Sequence, residues 1–214
     1  MKLSLWLLIG LGLAALLAVL YVLLRARATQ RADVAYHRTL ERTLELDSPA
    51  FAHQGAMPLF LSCEGGGGSP PLIWSNVPAG TRSFALIAVD PDIPSPNVHL
   101  VEFVHWVLYD LPAEARSLPA QVSLHELAQW GALMGRNGYG QRHYVAPCPV
   151  SGAHRYVYRL YALDVQELDL GGDGKADVLQ AMEGHVLAYG ELIGIYRLQK
   201  TSGWSAMRRN IPLQ

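Results

Sequence analysis

The chain has 214 residues, half of them apolar, and carries 17 Lys and Arg against 18 Asp and Glu, a formal net charge of -1. That length suits one ordinary domain with an appendage and not two large domains. The balanced charge argues against nucleic acid as a partner, which calls for a basic excess on one face, and two cysteines, Cys63 and Cys148, exclude a fold resting on a disulfide framework.

Leu3 to Leu24 carries no charge, and as a helix it extends roughly 33 Å, enough to cross a hydrocarbon core of about 30 Å. Residues 1–25 therefore read as one transmembrane helix, with the membrane engaged through residues 3–24. A cleaved signal peptide is the rival reading. It is favoured by the short start Met1-Lys2 and by Ala26-Arg27-Ala28, but the apolar run exceeds the usual h-region of about 7 to 15 residues. Arg25, Arg27 and Arg31 follow the span and lean the domain toward the cytoplasmic face. Residues 26–46 have good helix formers and neither Pro nor Gly, with Val34, Leu40 and Leu44 irregularly spaced; they read either as a helical stalk or as a solvated charged linker. His37 in this stretch reads as a surface histidine.

From residue 47 to 198 the texture changes to short β-branched and aromatic runs punctuated by Pro and Gly, the mark of a mainly β domain. FALIAVD, FVHWVLYDL and YVYRLYAL are the best strands. In the second, strict alternation puts Phe103, His105, Val107 and Tyr109 on one face and Val104, Trp106 and Leu108 on the other, both largely apolar, so the strand is expected to be covered on both sides. Near the end, Asp177 stands as an N-cap before VLQAMEGHVLAYGELIGIY, a helix candidate interrupted by Gly184 and Gly190. Residues 199–214 read as a C-terminal tail.

Three polar residues sit where a strand usually carries a hydrophobe or ends: Asp90 closing FALIAVD, His105 within FVHWVLYDL, and His154 opening HRYVYRLYAL. Singly, each is more often a satisfied core or turn residue than a ligand contact. Should the strands adjoin, Asp90 can orient His105, while His154, Tyr156 on the same strand face and nearby backbone amides present donors to an anion. A divalent metal on Asp90, Asp92, His105 and His154 is the weaker reading, because no close-spaced histidine motif supports it.

DPDIPSP, HWVLYDLP and APCPVSGAHRYVYRLYALD, in this order, resemble the phosphatidylethanolamine-binding protein family, nearest to its bacterial Raf-kinase-inhibitor-like branch, the YbhB/YbcL type. SPAF at Ser48–Phe51, SPPLIW at Ser69–Trp74 and AMEGHVLAYGELIGIY extend the likeness over about residues 47–198. The resemblance implies an antiparallel β-sandwich with a few peripheral helices and a small pocket for phosphate, acetate or a phospholipid head group. It places Asp90 and Asp92 in the DPD motif, His105 as the pocket histidine, His154, Arg155 and Tyr156 in the HRY motif, and Ala146 and Pro147 where the family has Gly-Pro. Ala146 in place of glycine restricts close backbone approach there, Val150 replaces a second proline, and Val104 stands where an aromatic or His is common. The implied function is a membrane-tethered binding protein without catalytic residues, metal or cofactor; family analogy also permits an inhibitor of a kinase or protease.

Other signals are weaker. Gly65–Gly68 is followed by Ser69-Pro70-Pro71 and not by a helix, so it reads as a flexible hairpin loop and not a phosphate cradle. GRNGYG, Gly135–Gly140, reads as a tight loop bordering the pocket. Asp169, Asp173 and Asp177 lack the ligand order of a calcium loop and read as a solvated turn. Cys148, six residues before His154, invites a thiol-hydrolase reading, but its flanking prolines favour a loop or a bridge to Cys63, with both cysteines near the pocket rim.

Overall fold

In a computed structural model, which describes residues 2–199, the apolar run and most of the following charged stretch form one continuous helix, α1 (Lys2–Arg38). By length and hydropathy it is the one described helix able to cross a membrane. Residues 200–214 of the expected tail lie outside the described residues.

Among the described residues, nine strands build two sheets. The smaller holds β1 (Glu45–Asp47), β3 (Leu72–Ser75) and β6 (Ser117–Leu118) in the order β1-β3-β6. The larger joins β2 (Gly55–Ala56), β4 (Ser83–Ser95), β5 (Val98–Pro112), β7 (Leu133–Met134), β8 (Ala153–Leu163) and β9 (Val186–Arg197) in the order β2-β9-β8-β4-β5-β7. All pairs are antiparallel except β2 with β9, which run parallel. This one pair departs from the purely antiparallel sandwich expected. Two short helices, α2 (Leu124–Gln129) and α3 (Lys175–Ala181), lie at the periphery.

The three long runs singled out in the sequence fall in β4, β5 and β8, the centre of the larger sheet. Period-2 alternation gives β4 two apolar faces. Phe84, Leu86 and Ala88 enter the core between the sheets, with Leu72, Trp74 and Leu118 opposite, whereas Ala85, Ile87 and Val89 pack on the outer face with Val178 of α3 and Met182, its C-cap. The expected two-sided cover is therefore present, one side supplied by a sheet and the other by helices.

Strict alternation in β5 is broken more than once, and one break falls at the site. The register runs Ala88↔Trp106 and then Val89↔Val104, so His105 is the extra residue of a bulge. Val104 consequently joins the outer cluster while Trp106 and Leu108 stay in the inner one. Sequence periodicity cannot show this, because a bulge inserts one residue without changing residue type.

The C-terminal helix candidate is also corrected. Only Lys175–Ala181 is helical; Gly174 is its N-cap, and Asp177 sits in the first turn, accepting from the Gly174 N–H at 3.0 Å. A turn at Gly184 (φ 82°) then leads into β9. Gly190, which looked like a helix interruption, is a close-approach position, as is Gly194: a Cβ on Gly190 would lie 2.5 Å from the Leu44 carbonyl oxygen, and one on Gly194 2.5 Å from the Met57 side chain.

The stretch after the apolar run is no solvated linker. α1 ends at Arg38, Leu44 and Leu46 enter the inner core, and Leu40 packs on the outer cluster. His37 is buried, not a surface residue. Its Nδ1–H donates to the Asp33 carbonyl at 2.6 Å, and its Nε2 accepts from the Tyr161 hydroxyl at 2.7 Å. Beside it, the Asp33 carboxylate takes Arg159 of β8 at 2.9 Å and Lys175 of α3 at 3.1 Å; Arg159 also reaches Glu191 of β9 at 2.9 Å, and Lys175 pairs with Glu102 of β5. One carboxylate on α1 is thus joined to a network spanning three strands and a helix.

Replacing Asp33 by Ala leaves two partly buried cations short of an acceptor. The expected result is a loss of about 2 kcal/mol in unfolding free energy, the order of one charged hydrogen bond. Faster amide exchange over residues 34–40 should accompany it, measured by hydrogen–deuterium exchange on the full chain.

Candidate functional site

The site forms where β4 leaves β8. Their ladder ends at Val89↔Val157, while β4 continues beside β5 to Ser95↔Val98. Past Val89, side chains replace the missing backbone bonds. His154 Nδ1 donates to Asp90 Oδ2 at 2.7 Å, and Asp90 Oδ1 accepts from the Asp92 N–H at 2.8 Å. Asp92 in turn accepts from the backbone N–H of Arg155 at 2.9 Å and from both Nε and Nη2 of its guanidinium, at 2.9 and 2.6 Å.

Asp90, Asp92 and His154 are at most 2% exposed. Burial of charge on this scale is tolerated only with full pairing. The second ring nitrogen of His154 donates to the Ser151 carbonyl at 2.9 Å. Both ring nitrogens thus face oxygen acceptors, and the ring satisfies both only with a hydrogen on each. His154 accordingly has no donor left for a ligand; it holds Asp90 and the Ser151 loop.

The carboxylate that was expected to orient His105 therefore orients His154 instead. His105 is fixed by the loop before β8: its Nδ1–H donates to the Val145 carbonyl at 2.6 Å, which leaves Nε2 as the available nitrogen. The same loop holds β5 back through the Val145 N–H, which donates to the His105 carbonyl at 3.0 Å. Burial pushes the His105 pKa down, so the ring is neutral near pH 7; the Val145 bond and the Asp90 charge only partly offset this.

Tyr156 lies edge-on to His105, ring centroids 5.1 Å apart. Its hydroxyl is kept protonated by burial, reinforced by the nearby Asp90 charge and opposed by a backbone hydrogen bond from Cys148. Phe103 also meets His105 edge-on, ring centroids 4.9 Å apart, and meets Tyr139 at 4.8 Å. Tyr139 belongs to the GRNGYG loop, which reaches back to β5 through the Gly138 N–H on the Val104 carbonyl at 2.8 Å. That loop borders the site, as its sequence suggested. Asp173 does more than solvate a turn, since it binds both Arg136 and Arg142 and so ties this loop to the approach of α3.

Cys63 and Cys148 are bridged, with Cα atoms 5.5 Å apart, and the Cys63 N–H donates to the Pro147 carbonyl at 3.0 Å. The bridge fastens the Ala146-Pro147 loop to the Gly65–Gly68 turn. This turn is not a hairpin; it links a 3-10 turn (Leu59–Leu61) to β3. A Cβ on Gly67, which has φ 75°, would come within 3.2 Å of the Ala146 methyl. Alanine at position 146 is accommodated because glycine stands opposite.

All seven expected positions, Asp90, Asp92, His105, Ala146, Pro147, His154 and Tyr156, thus gather at one end of the larger sheet. Sequence reasoning missed the roles of Val145, Ser151 and Gly67. The first two act through backbone carbonyls, which leave no mark on residue type. Among the described residues, no group of three or more His, Cys, Asp or Glu side chains is arranged to hold a metal.

A two-sheet sandwich with a buried Asp–His pair at the splayed end of its central strands, and a bridged proline loop across them, defines a binding fold. Residues 47–197 match the family model for phosphatidylethanolamine-binding protein, and the chain belongs to that family. A UPF0098 protein of Methanothermobacter thermautotrophicus is 44% identical over 155 residues, covering 72% of this chain and 99% of the relative. The crystal structure of a phosphatidylethanolamine-binding protein homologue from Chlamydia trachomatis superposes with TM-score 0.66 at 36% identity, covering 74% of this chain and all of that one. Escherichia coli YbcL superposes with TM-score 0.64 at 26% identity, over 73% and 99%. The kinship with the bacterial branch and the β-sandwich class expected from the motifs are both borne out.

Removing Asp90 by substitution with Ala strands His154 and the Asp92 amide in the interior. Equilibrium unfolding in urea should show a loss of about 3 to 5 kcal/mol, the usual cost of leaving one partner of a buried pair alone.

Proposed function

We propose that the protein is a membrane-tethered binding protein whose pocket holds a small anionic group such as phosphate or a phospholipid head group. In this reading residues 1–25 cross the bilayer, 26–46 carry the domain away from it, and 47–198 form the binding unit. The observation that carries it is the pairing of His105 with Tyr156: a neutral imidazole with Nε2 uncommitted, its ring centroid 5.1 Å from that of a tyrosine whose hydroxyl burial keeps protonated. The tyrosine offers a donor. The imidazole either accepts from a hydrogen-bearing anion or takes up a proton and becomes a charged donor itself. Asp90, Asp92 and His154 act as positioning residues, and Ala146-Pro147 forms the wall.

Family membership supports a binding role. The disulfide weighs against the thiol-hydrolase reading, because Cys148 carries no free thiol. It also weighs against the cytoplasmic side to which the arginines lean, since disulfides persist in oxidising compartments.

Replacing His105 by Ala removes one ligand contact at a buried site. Sulfate and phosphate affinity should fall roughly tenfold or more, the size of one hydrogen bond to a charged group, whereas His125→Ala on the exposed face of α2 leaves affinity unchanged. Titration calorimetry with both anions on the full chain decides this, and equal affinities in the two variants would remove His105 from the site.

The pH dependence has a definite sign. His105 is neutral in the free protein because its pKa is pushed down, and a bound anion favours the protonated ring. Binding therefore takes up a proton, and affinity should rise as pH falls from about 8 toward 6. Sulfate is the right probe because it does not titrate there. A flat profile counts against the histidine as the anion contact.

A further inference from the structure

A second basic feature lies outside this pocket. Arg27, Arg31 and Arg38 of α1 form one wall of an open groove, and Asn97, Val98 and Leu100 at the tip of the β4–β5 hairpin form the other. Its volume of about 700 Å³ falls within the range of small-ligand sites. Among the described residues, no carboxylate pairs with any of these three arginines. The nearest acid on the helix, Asp33, is taken up by Arg159 and Lys175. Apolar side chains share the groove: Val34 is 48% and Val98 45% exposed.

Height along the helix makes this arrangement informative. At about 1.5 Å per residue, Arg27 lies roughly 5 Å and Arg31 roughly 10 Å beyond Leu24, the last residue of the uncharged run. A bilayer crossed by that run has its headgroup layer at the same level. The hairpin tip, sharing a groove with Arg27 and Arg31, is therefore drawn up to the membrane surface. It is held there by two restraints. The Asp33 network docks the helix on β8, and Pro96 packs against Gly152, where an added Cβ would lie only 2.9 Å away. Arginines facing a layer of phosphates, with half-exposed valines beside them, make a headgroup contact and not a solvated face.

We infer that the groove between the arginine face of α1 and the β4–β5 hairpin tip is a second phosphate site, which takes the headgroup of an anionic phospholipid from the bilayer that α1 enters. This inference rests on the membrane reading of α1 and not on the His105 pocket. The hairpin tip begins at Asn97, five residues beyond Asp92 and roughly 17 Å along the chain. A lipid held there is kept at the same end of the sheet as Asp90, His105 and Tyr156.

The test uses the full chain in nanodiscs of phosphatidylcholine with or without phosphatidylglycerol. The native cysteines are bridged, so Val98→Cys provides a single reactive thiol for an environment-sensitive fluorophore; Glu114→Cys, exposed in the turn that follows β5, is the reference. The label at 98 should be shielded from aqueous iodide and the label at 114 fully quenched. Spin-labelled phosphatidylglycerol should be preferred over phosphatidylcholine by about fivefold, the effect of one arginine near a charged surface. The double variant Arg27→Gln/Arg31→Gln should bring that preference to unity while thermal stability is unchanged. Equal quenching at 98 and 114, or a lipid preference that survives the double variant, overturns the inference. Inorganic phosphate displacing the lipid more effectively than chloride of equal ionic strength also overturns it, in favour of a free-anion site. Release of the chain by carbonate washing is a separate outcome, and it would sink the membrane reading together with this site.

Discussion

The buried hydrogen bond between Asp90 and His154 is the constraint on which the rest of the site depends. Two adjacent strands in a sheet normally continue their ladder to their ends. Here β4 and β8 part after Val89 and Val157, and parted strands expose backbone donors and acceptors that must be satisfied. The Asp90–His154 and Asp92–Arg155 contacts provide that satisfaction. Asp92 substitutes directly for a strand partner by accepting the Arg155 N–H. The site is therefore a place where side chains have taken over the hydrogen bonding of a sheet, so that the sheet can open without unpaired backbone groups.

That opening explains the division of labour between the two histidines. His154 is fully enclosed and both of its ring nitrogens are used within the protein. His105 sits at a bulge, turned by one extra residue out of the alternation of β5, and has one nitrogen left. Bulges commonly re-aim a side chain beside a functional site. The loop across the opening is fixed at three points: the Val145 carbonyl on His105, the Cys63–Cys148 bridge, and the Ala146 methyl against Gly67.

The residue types carried much of this. Apolar runs marked β4, β5 and β8 as strands, the two-faced run of β5 marked it as covered on both sides, and polar residues breaking those runs marked the site. What stayed illegible depends on backbone geometry. The partner exchange between Asp90 and the two histidines turns on the bulge at His105, which no periodicity shows. The strand nature of Val186–Arg197 was hidden because Leu, Ala and Glu suit either structure, and glycines that permit close approach resemble glycines that break a helix. The docking of α1 was missed for a similar reason: Asp33 and His37 sit among surface-like neighbours, and their partners Arg159 and Tyr161 lie more than a hundred residues away in the chain.

Arg159, which takes the carboxylate of α1, stands on the same strand as His154, five residues further on. An odd spacing along a strand puts the two side chains on opposite faces. One strand thus has its inner surface committed to the Asp90 pair and its outer surface clasped to the helix, about 17 Å apart along the chain. A strand in the middle of a sheet is stiff, with neighbours on both edges. The contact that seats the helix and the pair that props the strands open are therefore borne by one and the same strand, on its two opposite faces.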